Sequence, residues 1–379
     1  MFTTRRTSLT LVLLVLLMVA PAAQPLARRP HDISSTLPHG GSQSTATSID
    51  TFFTRLVSAH LFSGAVLISW HGHFVLSKGY GWAGVDAHVP NTANTAFRIG
   101  SITKQFTALA ILLLQHQGKL HVQNHICRYV VPCPTTWHAI TIQELLTHTS
   151  GIPSYTAFPD YADWKSRPVT PAQLMAHFKD KPLDFTPGTR YRYSNSGYAL
   201  LGYIITKVSG EAYATFLQRH IFAPLHLSQT GYGHNHPPLP GHARGYASWD
   251  SPADYIDMSV PYAAGGLYST VENLDRWDHA LLSGTGVPKA VAQTMFTPYV
   301  TVCKGTCGPF SRVSYGYGWF VGQEPHRRVI EHTGGIDGFV ALNRLYPDDN
   351  ATVIVLSNLQ TATLNVISAE IERRLFSKG

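Results

Sequence analysis

Three short stretches of this chain hold side chains that could make and break an acyl bond. The first is Ser101-Ile-Thr-Lys104. Residues three apart on a helix are neighbours on one face, so the Lys104 amine can reach the Ser101 hydroxyl. An amine walled in by apolar residues loses hydration, its pKa falls, and it can accept the hydroxyl proton. A helix N-terminus adds positive potential where an alkoxide and then an oxyanion would form. Alone, SxxK is common and reads equally as a helix cap followed by a surface lysine. The second stretch is Tyr193-Ser-Asn195, where Ser194 or Asn195 could simply cap a helix and Tyr193 could be packing. The third is His332-Thr333-Gly334, whose plain reading is a strand running into a Gly-Gly turn.

These residues need elements to hold them. FRIGSITKQFTALAILLLQHQG, residues 97–118, reads as a helix that is apolar nearly all round, entered through Gly100 and ended by Gly118. A lysine at the front of such a helix is rarely buried without a partner. TSIDTFFTRLVSAHLF reads as an amphipathic helix, and SGAVLISWHGHFVLSKGYGWAG as a hairpin turning at residues 70–73. Residues from about 119 to 260 show mostly helical signals broken by Pro- and Gly-rich loops, and VENLDRWDHALL gives one more helix. The end of the chain returns to strands, YGYGWFV, RRVIEHTGG, FVALNRLYP and ATVIVLSN, closed by the helix TLNVISAEIERRLF. The order strands, helices, strands predicts an α+β fold. An antiparallel sheet of about five or more strands would be flanked by helices from both termini, with a mostly helical lobe beside it.

The chain has 379 residues, 44% of them hydrophobic and 13% charged, enough for one large core or two subdomains and too few charges for a solvating role. A net charge of +7 and a pI of about 9.2 raise the question of a polyanion. The basic residues are scattered, without zinc-finger spacing or an aromatic-interleaved stripe, so no nucleic-acid partner is expected. Residues 1–22 read as a secretory leader: Arg5 and Arg6, an apolar run from Leu9 to Ala20, and the small residues Ala20 and Ala22 around a cleavage site. That run is too short to span a bilayer. Residues 23–48, rich in Pro, Ser, Thr and Gly, read as a linker, leaving 49–379 as the folded domain. The mature chain is expected outside the cytoplasm, with no membrane span. In that compartment Cys127 and Cys133, and Cys303 and Cys307, are expected to form two local disulfides.

No HExxH or CxxC occurs, and the histidine-rich patch 234–242 is broken by prolines, so no metal is expected. Gly79-Tyr-Gly81-Trp-Ala-Gly84 fits GxGxxG but runs into Pro90 instead of a helix, so it reads as a glycine turn. No other cofactor motif is present, and GxSxG does not occur.

Taken together, in this order and with their flanks LLTHTSGIP, FTPGTRYRYSNSGYALLG, GGLYST and HTGGIDGF, the three stretches give the chain a family likeness. It resembles the serine β-lactamase and penicillin-binding protein superfamily, more narrowly the class C β-lactamase and D-alanyl-D-alanine carboxypeptidase branch, over about residues 50–376. The resemblance implies a site between sheet and helical lobe. Ser101 would be the acylated nucleophile and Lys104 the group that shares its proton. Tyr193 would be general base and acid, its phenol pKa lowered by the nearby ammonium. Asn195 would bind the substrate's acyl side, and His332, Thr333 and Gly334 the region of a substrate carboxylate. The backbone N–H groups of Ser101 and Gly335 would form an oxyanion hole, where one donor is worth about 3 kcal/mol.

The chain departs from the usual pattern in having histidine where the third motif has lysine. A histidine near pKa 6.5 is mostly neutral at pH 7 and would titrate between about 5.5 and 7.5. His-Thr-Gly is similar to the pattern in carboxypeptidases, peptidases and esterases of this branch. The resemblance therefore puts an acyl-transfer hydrolase of D-amino-acid peptides, including peptidoglycan peptides, or of esters ahead of a competent β-lactamase. A penicillin- or peptidoglycan-binding protein without turnover is the alternative of another class.

Overall fold

The structure, a computed structural model, describes residues 41–233, 235, 240–324 and 327–376. The expected leader, most of the expected linker and most of the histidine-rich patch lie outside the described residues. Helix α1 spans Gly41–Ser58, so the last part of the expected linker is helical. Of its hydroxyls, Thr47 bonds back one turn to Gln43 O within the expected linker, and Thr51, Thr54 and Ser58 do the same to Thr47 O, Asp50 O and Thr54 O in the part that reads as helix.

The main sheet has eight strands, all pairings antiparallel. In chain order they are β1 (Gly64–Trp70), β2 (His73–Tyr80), β3 (Val300–Cys307), β4 (Phe310–Tyr315), β5 (Phe320–Gln323), β6 (Arg328–Ile336), β7 (Phe339–Tyr346) and β8 (Ala351–Ser357). Their spatial order is β3-β4-β5-β6-β7-β8-β1-β2. The N-terminal hairpin thus completes a sheet that the C-terminal strands begin, as expected. Strands β3 and β4 were not expected. Among the described side chains of residues 300–313 none is buried, as at a sheet edge, and the stretch lacks a clean alternation. Within β3 and at its end, the sulfurs of Cys303 and Cys307 lie 2.14 Å apart; those of Cys127 and Cys133 lie 2.05 Å apart.

Side chains alternate across the sheet with period two. In β1, Ala65 and Leu67 face one apolar core, and Val66 and Ile68 face a second. The second core is closed by α1 and by the C-terminal helix Leu364–Phe376. The first core is closed by α2 (Thr103–His116), α3 (Asn195–Ser209) and α4 (Val271–Ser283). Every residue of α2 from Thr103 to Leu112 is buried, so this helix is surrounded by protein on all sides. It ends at Gly118, whose φ of +69° is left-handed. The lobe of residues 119–260 is built mainly from α3 and short helical turns.

Two glycines fix how the sheet meets α2. A 3₁₀ turn, Gly100–Ile102, leads into the helix, and Gly100 has φ +49°. A Cβ at Gly100 would come 2.7 Å from Gly335 N, and one at Gly334 would lie 1.9 Å from Ile99 O. The start of α2 and the end of β6 therefore touch backbone to backbone. The pairing of β6 is lopsided. Strand β5 covers only residues 328–331, whereas β7 pairs through Ile336. The outer edge of residues 332–336 is left open.

Candidate active site

The structure gathers the three stretches at that contact. Lys104 is fully buried, with Nζ 3.0 Å from Ser101 Oγ, 2.8 Å from Asn195 Oδ1 and 2.7 Å from Ala264 O. Nζ also lies over the rings of Tyr193 and Tyr198, at 4.8 and 5.4 Å from their centroids. Burial holds the Lys104 amine well below the usual lysine pKa. A neutral amine has two N–H bonds and one lone pair. The oxygens of Asn195 and Ala264 can only accept, so they take the two N–H bonds. The lone pair is then left for the Ser101 hydroxyl proton. In its neutral form Lys104 is thus placed to act as the base.

Tyr193 is bonded to Ser101 as well, but its state differs from expectation. Burial pushes its phenol above the ordinary value, outweighing the pull of the Ser101 hydrogen bond. The lowering expected from an ammonium is not found, because burial of the phenol itself is the larger effect. Tyr193 is therefore a protonated phenol, suited to passing a proton on.

His332 is also corrected. It is 1% exposed, and burial drives its pKa down to about 3, with a protonated Lys104 acting in the same direction. It does not titrate between 5.5 and 7.5. Its Nδ1 lies 2.6 Å from Thr333 O, a carbonyl that can only accept, so Nδ1 carries the proton. Nε2 then accepts from the Tyr315 hydroxyl at 3.0 Å. The ring is a neutral wall behind Tyr193, with their centroids 6.1 Å apart. Thr333 is exposed beside it; Gly334 is buried against Ile99.

Asn195 opens α3, and its Nδ2 donates to Thr156 Oγ1 at 3.0 Å. Asn195, Ser101 and Gly335 line one cleft of about 280 Å³, together with Tyr155, Tyr161 and Asp337. A Cβ on Gly335 would meet nothing within 4 Å, so this residue faces open cleft, and its N–H sits beside the turn that carries Ser101 N–H.

Sequence reasoning passed over four contributors. Ala264 gives only a backbone oxygen, which no residue type announces. Thr156 and Tyr315 come from stretches with no motif. His148 stands in LLTHTSGIP, a flank noted without a role. It adopts φ +58°, unusual for a non-glycine, and its Nδ1 accepts the Ser194 N–H at 3.1 Å. Its ring lies 4.3 Å from that of Tyr193 and fixes the phenol from behind. Among the described residues, no group of three His, Cys, Asp or Glu side chains is placed to hold a metal ion.

The β-lactamase family model matches residues 22–375. The chain belongs to the β-lactamase family of serine hydrolases. Among curated relatives of this family member is penicillin-binding protein 4* of Bacillus subtilis, 30% identical over 340 residues, covering 85% of this chain and 73% of that one. Among solved structures, the octameric penicillin-binding protein homologue from Pyrococcus abyssi superposes with a TM-score of 0.77 at 28% identity, over 87% of this chain and 77% of that one. A D-stereospecific amidohydrolase from Streptomyces sp. gives 0.71 at 25% identity, over 89% and 99%. The eight-stranded sheet and its flanking helices are thus those of the β-lactamase/transpeptidase fold.

Proposed function

We propose that this β-lactamase-family protein is an exported acyl hydrolase that works through an ester on Ser101, cleaving D-amino-acid peptides or esters in the manner of a D-alanyl-D-alanine carboxypeptidase-like peptidase or esterase. The observation that carries the reading is the buried Lys104 amine, 3.0 Å from Ser101 Oγ with both its N–H bonds committed to Asn195 Oδ1 and Ala264 O. Lys104 takes the Ser101 proton as Oγ attacks the acyl carbon, and the N–H groups of Ser101 and Gly335 receive the oxyanion. Tyr193 hands its proton to the leaving group and is reprotonated from Lys104. Water then enters, returns its proton along the same path, and frees the acid. The open outer edge of residues 332–336 supports an extended substrate, which could lie along it as an added strand. The leader-like N-terminus and the two cysteine pairs support export. No described helix is long and apolar enough to cross a membrane.

A β-lactamase is the weaker reading, because His332 supplies a neutral ring where a fixed cation would meet a β-lactam carboxylate. The test is intact-mass analysis after incubation with p-nitrophenyl acetate and with a labelled penicillin. An adduct on Ser101 is expected with the ester, and none with Ser101→Ala. Absence of any adduct from both reagents would refute the Ser101 acyl-enzyme.

A further inference from the structure

The Ser101 mechanism leaves one charge in the cleft unused. Asp337 follows Ile336 at the end of β6 and lines the same cleft as Ser101, Asn195 and Gly335. Its Oδ1 is bonded to Lys165 Nζ, which also faces Asp254 Oδ2 at 3.6 Å. Among the described residues its Oδ2 takes no hydrogen bond. The side chain keeps 20% of its surface exposed, so Oδ2 remains free to accept from a ligand. Asp337 also lines a second cavity of about 110 Å³ with Arg98 and Asp254, and its charge, like those of Tyr255 and Asp257, acts on the Arg98 guanidinium. The field reaches the cleft wall: after burial, the charge of Asp337 is what raises the Tyr161 phenol.

The other walls are apolar. Tyr155, Tyr161, Ile256, Pro261 and Ile336 surround the space, and the Tyr155 hydroxyl is already committed to Val260 O at 2.8 Å. No lysine or arginine is among the lining residues. At about 280 Å³ the cleft lies at the small end for ligand pockets. Asp337 lies in the turn between β6 and β7, two residues past Gly335. The amine of an aminoacyl group sits two bonds from the carbon that Ser101 would attack, beside the cleft wall that Gly335 and Asp337 share.

We propose that Asp337 is the residue that selects substrates by a free α-ammonium, so that the cleft accepts amides, peptides or esters of apolar amino acids with an unblocked amine on the acyl side. Lys165 is a positioning residue that holds the carboxylate at the mouth. The inference rests on the Ser101 reading and supplies its substrate class.

The test compares D-phenylalanine p-nitroanilide with its N-acetyl derivative at pH 7, with the L-enantiomers in parallel. The ratio of the two kcat/KM values is read in wild type, Asp337→Asn and Asp337→Glu. Wild type is expected to favour the free amine by about ten-fold or more, as for one charge-assisted hydrogen bond. Asp337→Asn brings the ratio near one, and Asp337→Glu restores part of it. The ratio is taken within one protein, so a partly misfolded variant does not alter it. A wild-type ratio of one or below, or an Asn variant that keeps the wild-type ratio, overturns the proposal. Failure to cleave either anilide while p-nitrophenyl acetate still labels Ser101 also overturns it, and leaves the acyl-enzyme reading standing.

Discussion

Replacing His332 by glutamine should make the protein less sensitive to acid. In the folded state the imidazole is buried and its pKa sits at about 3, whereas an unfolded histidine titrates near 6.5. The unfolded chain therefore binds a proton over a range in which the native state does not, and stability falls as pH drops below about 6.5. Above that pH both states are neutral and the group contributes no pH dependence. The full penalty, reached only below pH 3, is about 5 kcal/mol; by pH 4.5 about 3 kcal/mol of it has appeared. Glutamine can still accept from the Tyr315 hydroxyl and carries no titrating group. The assay is urea unfolding of wild type and His332→Gln at several pH values between 4.5 and 7.5. Other groups titrate equally in both proteins, so the difference between the two curves isolates His332. That difference should move in favour of the variant by about 3 kcal/mol between pH 7.5 and 4.5. Parallel curves would refute the buried, neutral histidine.

Two more outcomes follow from groups held in the apolar interior. Lys104→Met should lower kcat for ester hydrolysis by a factor of at least about 10³ while leaving the melting temperature unchanged or raised, since a desolvated amine is removed along with the base; a variant with more than a tenth of wild-type activity would contradict the assigned role. Asp278 is buried with one oxygen on Asn343 Nδ2 at 2.8 Å and the other unpaired, and burial raises its pKa well above the carboxylate range. Its cost therefore grows as pH rises above 3.8, so Asp278→Asn should stabilise the protein by about 1–3 kcal/mol at pH 8 and by nothing at pH 4, which urea titrations at the two pH values check.

Much of this site could be read from the chain. An all-apolar helix body behind SITK announced a buried α2, and YSN and HTG supplied the residues that meet it. The protonation states could not be read. They depend on Tyr315, Phe320 and His148, which reach Tyr193 and His332 from other elements and carry no pattern of their own. Nor could the Ala264 carbonyl that accepts from Lys104, a backbone oxygen. The sheet was legible where strands are buried on both faces, as in β8, and not at β3 and β4, where exposure at the edge removes the hydrophobic alternation. At the other end, residues 41–46, GSQSTA, looked like linker because they carry no apolar stripe to see.

The burial of α2 on every side has a consequence for inactivation. Many enzymes carry their reactive groups on loops that open long before the molecule melts, and they lose activity in stages. Here the nucleophile and its amine stand at the head of a pillar that touches both the sheet and the helical lobe. No small fluctuation can loosen that pillar without breaking the main core. Heat or denaturant should then abolish acylation and secondary structure at one midpoint, and the amides of α2 should exchange with solvent only when the whole fold opens.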